Sequence, residues 1–344
     1  MTGYRPLRQR GHGYTAPAAL MLALAGPLIA GAVPTLASEP LYVKNLSPIT
    51  GLIGLPSQRN AITVPAGALE LAVHSSIASH FVNDTSAREF VNLDGETLRL
   101  ALDLRVGLAE NWDMHVEVPW IDHSGGHLDK PIDNWHDFWG MADGGREDVP
   151  RDLLDYRYAS ADGSYGLLES SSGVGDVSLS VSHAFYRDED AAATVVVGYK
   201  FGSGDEEDFT GSGADDVFLA LRMSGDHLSD LPLSWHGQVG YLHAGDSDLL
   251  GDTQETELWF AGLSVDWRVA QQWSLLAQVD AHAGPLDSSL TATGDDAFLL
   301  SFGGRWYVSP RWQVDVSIVE DIQVETAPDV TFQASVRFVP GKDG

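Results

Sequence analysis

The chain has 344 residues, 44% of them hydrophobic, no cysteine and a formal net charge of −29 at pH 7. Without cysteine there is no disulfide, no thiolate-bound zinc, no thiol nucleophile and no lipidated cysteine anchor. The acidic balance argues against nucleic acid as a partner, because phosphate binding needs Lys- and Arg-rich faces.

Arg5, Arg8 and Arg10 precede an apolar run, "AALMLALAGPLIAGAV" (Ala18 to Val33), and a small-residue stretch, "PTLAS". This is the layout of a secretory signal peptide over residues 1–37, with cleavage after Ala37. The run is shorter than a membrane-spanning helix requires and is broken by Gly26, Pro27 and Gly31.

Residues 38–67 follow as an apolar segment interrupted by Pro40, Pro48, Gly51, Gly54, Pro56 and Pro65. It cannot be one regular strand or helix. Its hydrophobicity requires cover, either as a plug inside a larger structure or packed under a rim.

From residue 68 onward one pattern repeats. About ten residues alternate in polarity, then turn residues intervene. In "TLRLALDLRVGL", Leu98, Leu100, Leu102, Leu104, Val106 and Leu108 share one face, while Arg99, Asp103 and Arg105 share the other. Period two means strand. Soluble sheets average five or six residues per strand, whereas about 9–11 tilted residues cross a bilayer.

Twelve such segments start near Ala68, Glu96, Asn111, Gly175, Ala191, Asp215, Leu233, Glu255, Gln272, Asp296, Arg311 and Val330. Tight connections ("AEN", "RDED", "VAQQ", "SP") alternate with long ones: 83–95, 122–173, 202–214, 245–253 and 284–295. Trp112, Trp120, Trp235, Trp267, Trp273, Trp306 and Trp312 mark strand ends as interfacial girdles do. The predicted fold is all-β: an antiparallel, up-and-down transmembrane barrel of about 12 strands over residues 68–338, with a tail at 339–344. Such a barrel implies contact with outer-membrane lipid and lipopolysaccharide, and with the barrel assembly machinery.

Several stretches carry a family likeness: "PLYVKNLSPITGLIGLPS" (Pro40 to Ser57), "DGETLRLALDLRVGL", "HSGGHLDKPIDNWHDFWGMADGGREDVPRDLLDYRY" (His123 to Tyr158), "GVGDVSLSVSH", "TGSGADDV" and "IVEDIQVETAPDVTF". Together they resemble a family of Gram-negative outer-membrane proteins catalogued as a domain of unknown function. The resemblance implies an outer-membrane barrel and brings no substrate or catalytic residues. Such barrels commonly end on an aromatic residue; here Phe338 is followed by "VPGKDG".

With the leucines of the second strand facing lipid, the inward positions include Arg99, Asp103, Arg105, His115, Glu117, Arg222, Asp280, Arg305 and Arg337. Buried charges of both signs must be paired or hydrated, so they form either a paired network that stiffens the interior or the lining of a water-filled pore.

The longest connection holds Trp135, His136, Asp137, Phe138, Trp139 and Arg146, aromatic enough to fold as a lid or an inward constriction. Its His and Asp residues match no metal motif. His123 and Ser124 are adjacent, so on an extended chain they face opposite sides, and no GxSxG is present.

The expectation is a non-enzymatic passive channel for a small solute, without cofactor or metal, gated by the long loop, the N-terminal segment or both. A closed structural or adhesive barrel presenting acidic loops is the alternative, and a lipid-modifying enzyme the least favoured.

Overall fold

The computed structural model describes residues 38–128, 130, 150–161, 163–226, 231–323 and 325–339. The expected signal peptide, the loop residues Trp135, His136, Asp137, Phe138, Trp139 and Arg146, and the last residues of the tail lie outside these.

The alternating segments are strands. They are β1 (Leu69–Thr85), β2 (Phe90–Ala109), β3 (Trp112–Ser124), β4 (Asp155–Ala159), β5 (Ser164–Leu167), β6 (Ser171–Val174), β7 (Ser178–Arg187) and β8 (Ala191–Lys200). β9 (Asp216–Gly225), β10 (Leu233–Ala244), β11 (Glu257–Ala270), β12 (Trp273–His282), β13 (Ala297–Ser309), β14 (Trp312–Asp321) and β15 (Val330–Phe338) follow.

β1, β2, β3 and β7 to β15 each pair antiparallel with their neighbours. The ring closes where β1 meets β15, from Leu71 opposite Phe338 to Ser79 opposite Val330. The result is a closed twelve-stranded barrel. β4 and β5 form a hairpin added to the end of β2 at Phe90–Asp94, and β6 pairs with the end of β3 at Trp120–His123.

Turn chemistry sets the register at one end. Glu110 and Asn111 alone separate β2 from β3, with Asn111 in the left-handed region at φ 63°, a conformation Asn tolerates better than most residues. The connections β7–β8, β11–β12 and β13–β14 gather at this same, tight-turn end.

On the outside, Val73, Leu102, Val239, Leu263, Phe302 and Val316 are more than half exposed. In water such a belt would be a liability, and in a bilayer it is the lipid-facing surface. Trp112, Trp267, Trp273, Trp306 and Trp312 ring the tight-turn end, with Trp273 stacked on Trp306 at 5.8 Å. The protein is an outer-membrane barrel.

Two boundaries differ from the sequence reading. Residues 83–95 are not a long loop: β1 and β2 run 17 and 20 residues and meet in a turn at residues 86–89. Above the membrane the outward face no longer needs apolar residues, so Asn83 and Asn92 interrupt the pattern while backbone pairing continues, one amide to the other at 2.9 Å. For the same reason β3 extends to Ser124, so His123 and Ser124 belong to a strand.

Candidate functional site

The interior of the barrel is occupied by its own chain. From Ser38 to Leu46 the segment rises from the tight-turn end. It turns through one helical turn at Thr50–Leu52 and descends to Val64. Lys44 donates to the Leu55 carbonyl at 2.7 Å and Asn60 to the Ser38 carbonyl at 3.0 Å, clasping the two limbs together. Prolines and glycines prevent regular structure, so the limbs' backbone groups find partners on the barrel wall, as buried polar groups must.

Those partners encircle the segment. Near the tight-turn end, Ser38 donates to Asp266 at 2.7 Å, the Ala61 amide to Ser224 at 2.8 Å and the Val64 amide to Asp113 at 2.9 Å. Arg105 donates to the Ile62 carbonyl at 2.9 Å. Farther along, Gln58 donates to Asp280 at 2.7 Å, and Arg59 contacts Asp103 and His115. Toward the other end, the Gly54 amide donates to Asp216 at 2.8 Å and Lys200 to the Leu52 carbonyl at 3.0 Å. Asn45 donates to the Thr326 carbonyl at 3.0 Å. The segment leaves the lumen past Gly107, where a Cβ would lie 2.0 Å from the Pro65 carbonyl oxygen; only glycine admits that approach.

At its apex the segment is apolar. Ile49, Leu52, Ile53 and Leu55 join Tyr156, Tyr158, Phe209, Leu242, Leu258, Leu286 and Leu290 in one buried cluster. The β4–β5 hairpin thus covers the tip of the lumenal segment.

The inward charges predicted from alternation all face this interior, and most meet an opposite charge across a strand pair. Arg305 is directly opposite Asp315, grips both its oxygens at 2.7 and 2.8 Å, and reaches Asp266 at 3.0 Å. Arg105 meets Asp113 at 2.9 Å and Glu70 at 3.3 Å, and Arg337 meets Glu70 at 2.6 Å. Glu39 of the segment lies within 4 Å of both arginines. Arg99 binds Glu117 at 2.7 Å and the Tyr42 hydroxyl, and Lys44 approaches Glu117 at 3.6 Å. Arg222 instead donates to the Gln238 amide oxygen at 2.7 Å, and Asp280 accepts from Gln58 and Gln278.

Alternation alone did not single out Asp113, Lys200, Asp216, Ser224 or Asp266, which lie near strand ends. The available signal was the two limbs themselves, where Glu39, Lys44 and Arg59 punctuate an apolar stretch and demand partners.

The space left over is small. Cavities of about 90, 80, 30 and 20 Å³ lie between segment and wall, room for one water in the smallest and several in the larger two. The largest of these is lined by Lys44, Asn45, Arg99, Glu117, His123 and Lys200 among others.

Outside the membrane, Glu89 ties the β1–β2 turn to the segment before β13. Ser289 donates both its amide, at 2.9 Å, and its hydroxyl to the carboxylate, and Tyr158 donates at 2.9 Å. Desolvation is the largest single influence and opposes ionisation, but the hydrogen bonds from Ser289, Ser288 and Tyr158 together outweigh it and hold the Glu89 pKa at about 2. A carboxyl depressed below its unfolded value stabilises the contact above about pH 4.5 and releases it as pH falls toward 2. The protection factor of the Ser289 amide, its exchange rate corrected for the intrinsic pH dependence, is expected to fall over that window in the wild type and to lose that dependence in Glu89→Gln.

A family described as "Protein of unknown function (DUF3187)" matches residues 18–339. The chain belongs to the DUF3187 family. No curated protein matches this DUF3187 chain significantly. Among solved structures, the COG4313 outer membrane channel from Pseudomonas putida F1 shares its fold. The TM-score is 0.53 at 14% identity, covering 81% of this chain and 98% of that one. Weaker likenesses include the KdgM porin, with TM-score 0.42, 8% identity and coverage of 79% and 99%. Another is the Ralstonia pickettii toluene transporter TbuX, with TM-score 0.36, 9% identity and coverage of 85% and 91%.

Proposed function

We propose that this protein is a passive outer-membrane channel for a small polar solute, and that residues 38–66 are its gate. The observation that carries the reading is how the segment is held. Along its limbs it meets the wall through hydrogen bonds and ion pairs, to Asp103, Asp113, Asp266 and Asp280 among others. Water and a solute can replace such contacts group for group, so the costly step of opening lies at the apex, where Ile49, Leu52, Ile53 and Leu55 must part from their apolar cluster. Short turns face the periplasm in bacterial barrels, so both limbs open toward that side, where the segment can be withdrawn. The fold neighbour from Pseudomonas putida is itself described as a channel. Neither the inward polar groups nor the segment's anchors call for catalysis: Ser224 beside His236, for example, is engaged by the Ala61 amide.

The small size of the residual cavities favours a second reading, a permanently closed structural barrel. Planar-bilayer conductance separates the two. The full chain is expected to show brief, low-conductance openings. A variant lacking residues 38–66 is expected to show a steady and several-fold larger conductance. Silence from both proteins, each shown to be folded and inserted, would exclude the channel.

A further inference from the structure

We propose that the interior wall carries a divalent transition-metal site formed by Asp103, His115, Glu117 and His74, and that Arg59 of the lumenal segment occupies it as a built-in cation. This goes beyond the channel reading and does not depend on it.

The barrel register assembles the ligands. Asp103 on β2 is directly opposite Glu117 on β3, and His115 lies two residues before Glu117 on the same inward face. On the other side of β2, Ala72 is opposite Asp103, which makes His74 of β1 its diagonal neighbour. Ligand atoms of Asp103, His115 and Glu117 all lie within 4.8 Å of one another.

The individual atoms are disposed for a shared ion. His115 Nε2 is 2.8 Å, and His74 Nε2 3.7 Å, from Asp103 Oδ2. Tetrahedral coordination at zinc–nitrogen distances places ligand atoms about 3.3 Å apart, so the set brackets that spacing. His74 is buried, and its Nε2 has no hydrogen-bond partner. Its other nitrogen is 2.7 Å from the Ser335 hydroxyl and its ring stacks on Tyr42 at 3.9 Å, which fixes the free nitrogen toward Asp103. Ligating imidazoles are held in this way by a partner on the second nitrogen.

Arg59 shows where the ion would sit. Its Nη2 contacts Asp103 Oδ2 and lies 3.0 Å from His115 Nε2. His115 Nε2 meets opposite demands here, a lone pair for the Arg59 guanidinium at 3.0 Å and a proton for the Asp103 carboxylate at 2.8 Å; an ion in place of the guanidinium nitrogen would take lone pairs from both His115 and Asp103. Two imidazoles with two carboxylates suit zinc, cobalt, manganese or iron rather than calcium or magnesium. Glu117 is shared with Arg99 and with Lys44, which belongs to the same segment as Arg59. Displacing the segment therefore removes two competing cations together.

The test uses the full chain in detergent and Co²⁺, whose visible absorption reports coordination by nitrogen and oxygen. Arg59→Gln removes the competing charge while filling similar space. It is expected to bind one Co²⁺ per barrel at least about tenfold more tightly than the wild type, a difference of about 1.4 kcal/mol, reversibly with a chelator. Adding His115→Ala is expected to abolish the signal, and adding His74→Ala to weaken it. Arg59→Lys, which cannot span both Asp103 and His115, should fall between wild type and Arg59→Gln, and it serves as the probe if Arg59→Gln does not fold. Three results overturn the proposal: no stoichiometric binding by the folded variant, equal affinity in the wild type, or binding that survives loss of His115.

Discussion

Replacing Arg305 with alanine is expected to cost the barrel about 3–5 kcal/mol, the range for stranding buried charges by removing their partner. Arg305 is fully buried, and its guanidinium holds both oxygens of Asp315 and one of Asp266. Alanine leaves two carboxylates facing a lumen in which each has lost its main cation, although Ser38 still donates to Asp266. The measurement is the urea midpoint of the detergent-solubilised barrel, read from the loss of its heat-modifiable migration. Arg305→Lys keeps the charge but not the planar fork, and should recover part of the loss. Replacing Arg305 and Asp315 together by Met and Leu should cost less than Arg305→Ala alone, because apolar groups of similar volume leave fewer unpaired charges. An Arg305→Ala barrel within about 0.5 kcal/mol of wild type, the range of unremarkable surface substitutions, would show that water supports these carboxylates as well as the arginine does.

A second large effect is expected from tethering the lumenal segment. The chain contains no cysteine, so a pair introduced at Ala61 and Ser224 has no competitors. Those positions are in contact, with the Ala61 amide bonded to the Ser224 hydroxyl at 2.8 Å and Thr194 donating to the Ala61 carbonyl. A disulfide requires Cβ atoms about 3.5–4.5 Å apart, and formation of the cross-link is itself checked by mass. Once oxidised, the tethered protein is expected to lose the openings of the full chain, and reduction should restore them while leaving the wild type unchanged. If a fully cross-linked protein conducts like its reduced form, residues 38–66 are not the gate.

The barrel was legible in the sequence because lipid imposes a strict alternation on every crossing strand. The leucines of β2 and the tight turn at Glu110–Asn111 define face and register together. Arg305 and Asp315, facing each other across the short turn between β13 and β14, could be placed on one face in the same way. Where lipid no longer touches the strand the alternation fades, which hid the outer halves of β1 and β2 and the short β4, β5 and β6. The segment before β1 is different in kind. Its partners are set by the closed barrel as a whole: Ser38 meets Asp266 across 228 positions, and Asn45 meets Thr326 across 281. No local pattern encodes such pairings. The same holds for Asp103, His115, Glu117 and His74, whose proximity arises from three strands in register rather than from any spacing along the chain.

Gln58 and Arg59 are neighbours in the chain, yet Gln58 reaches Asp280 on β12 while Arg59 reaches Asp103 and His115 on β2 and β3. In the ring of strands these lie on opposite sides. The two residues therefore form a spoke across the barrel's diameter. A ring in which each strand bonds only to its neighbours can flatten into an ellipse at little cost in hydrogen bonds, and a spoke resists that deformation directly. It also divides the ring of strands in two, with β7 to β11 on one side and β13 to β15 with β1 on the other. Anything that moves past Gln58 and Arg59 without dislodging them has to choose a side.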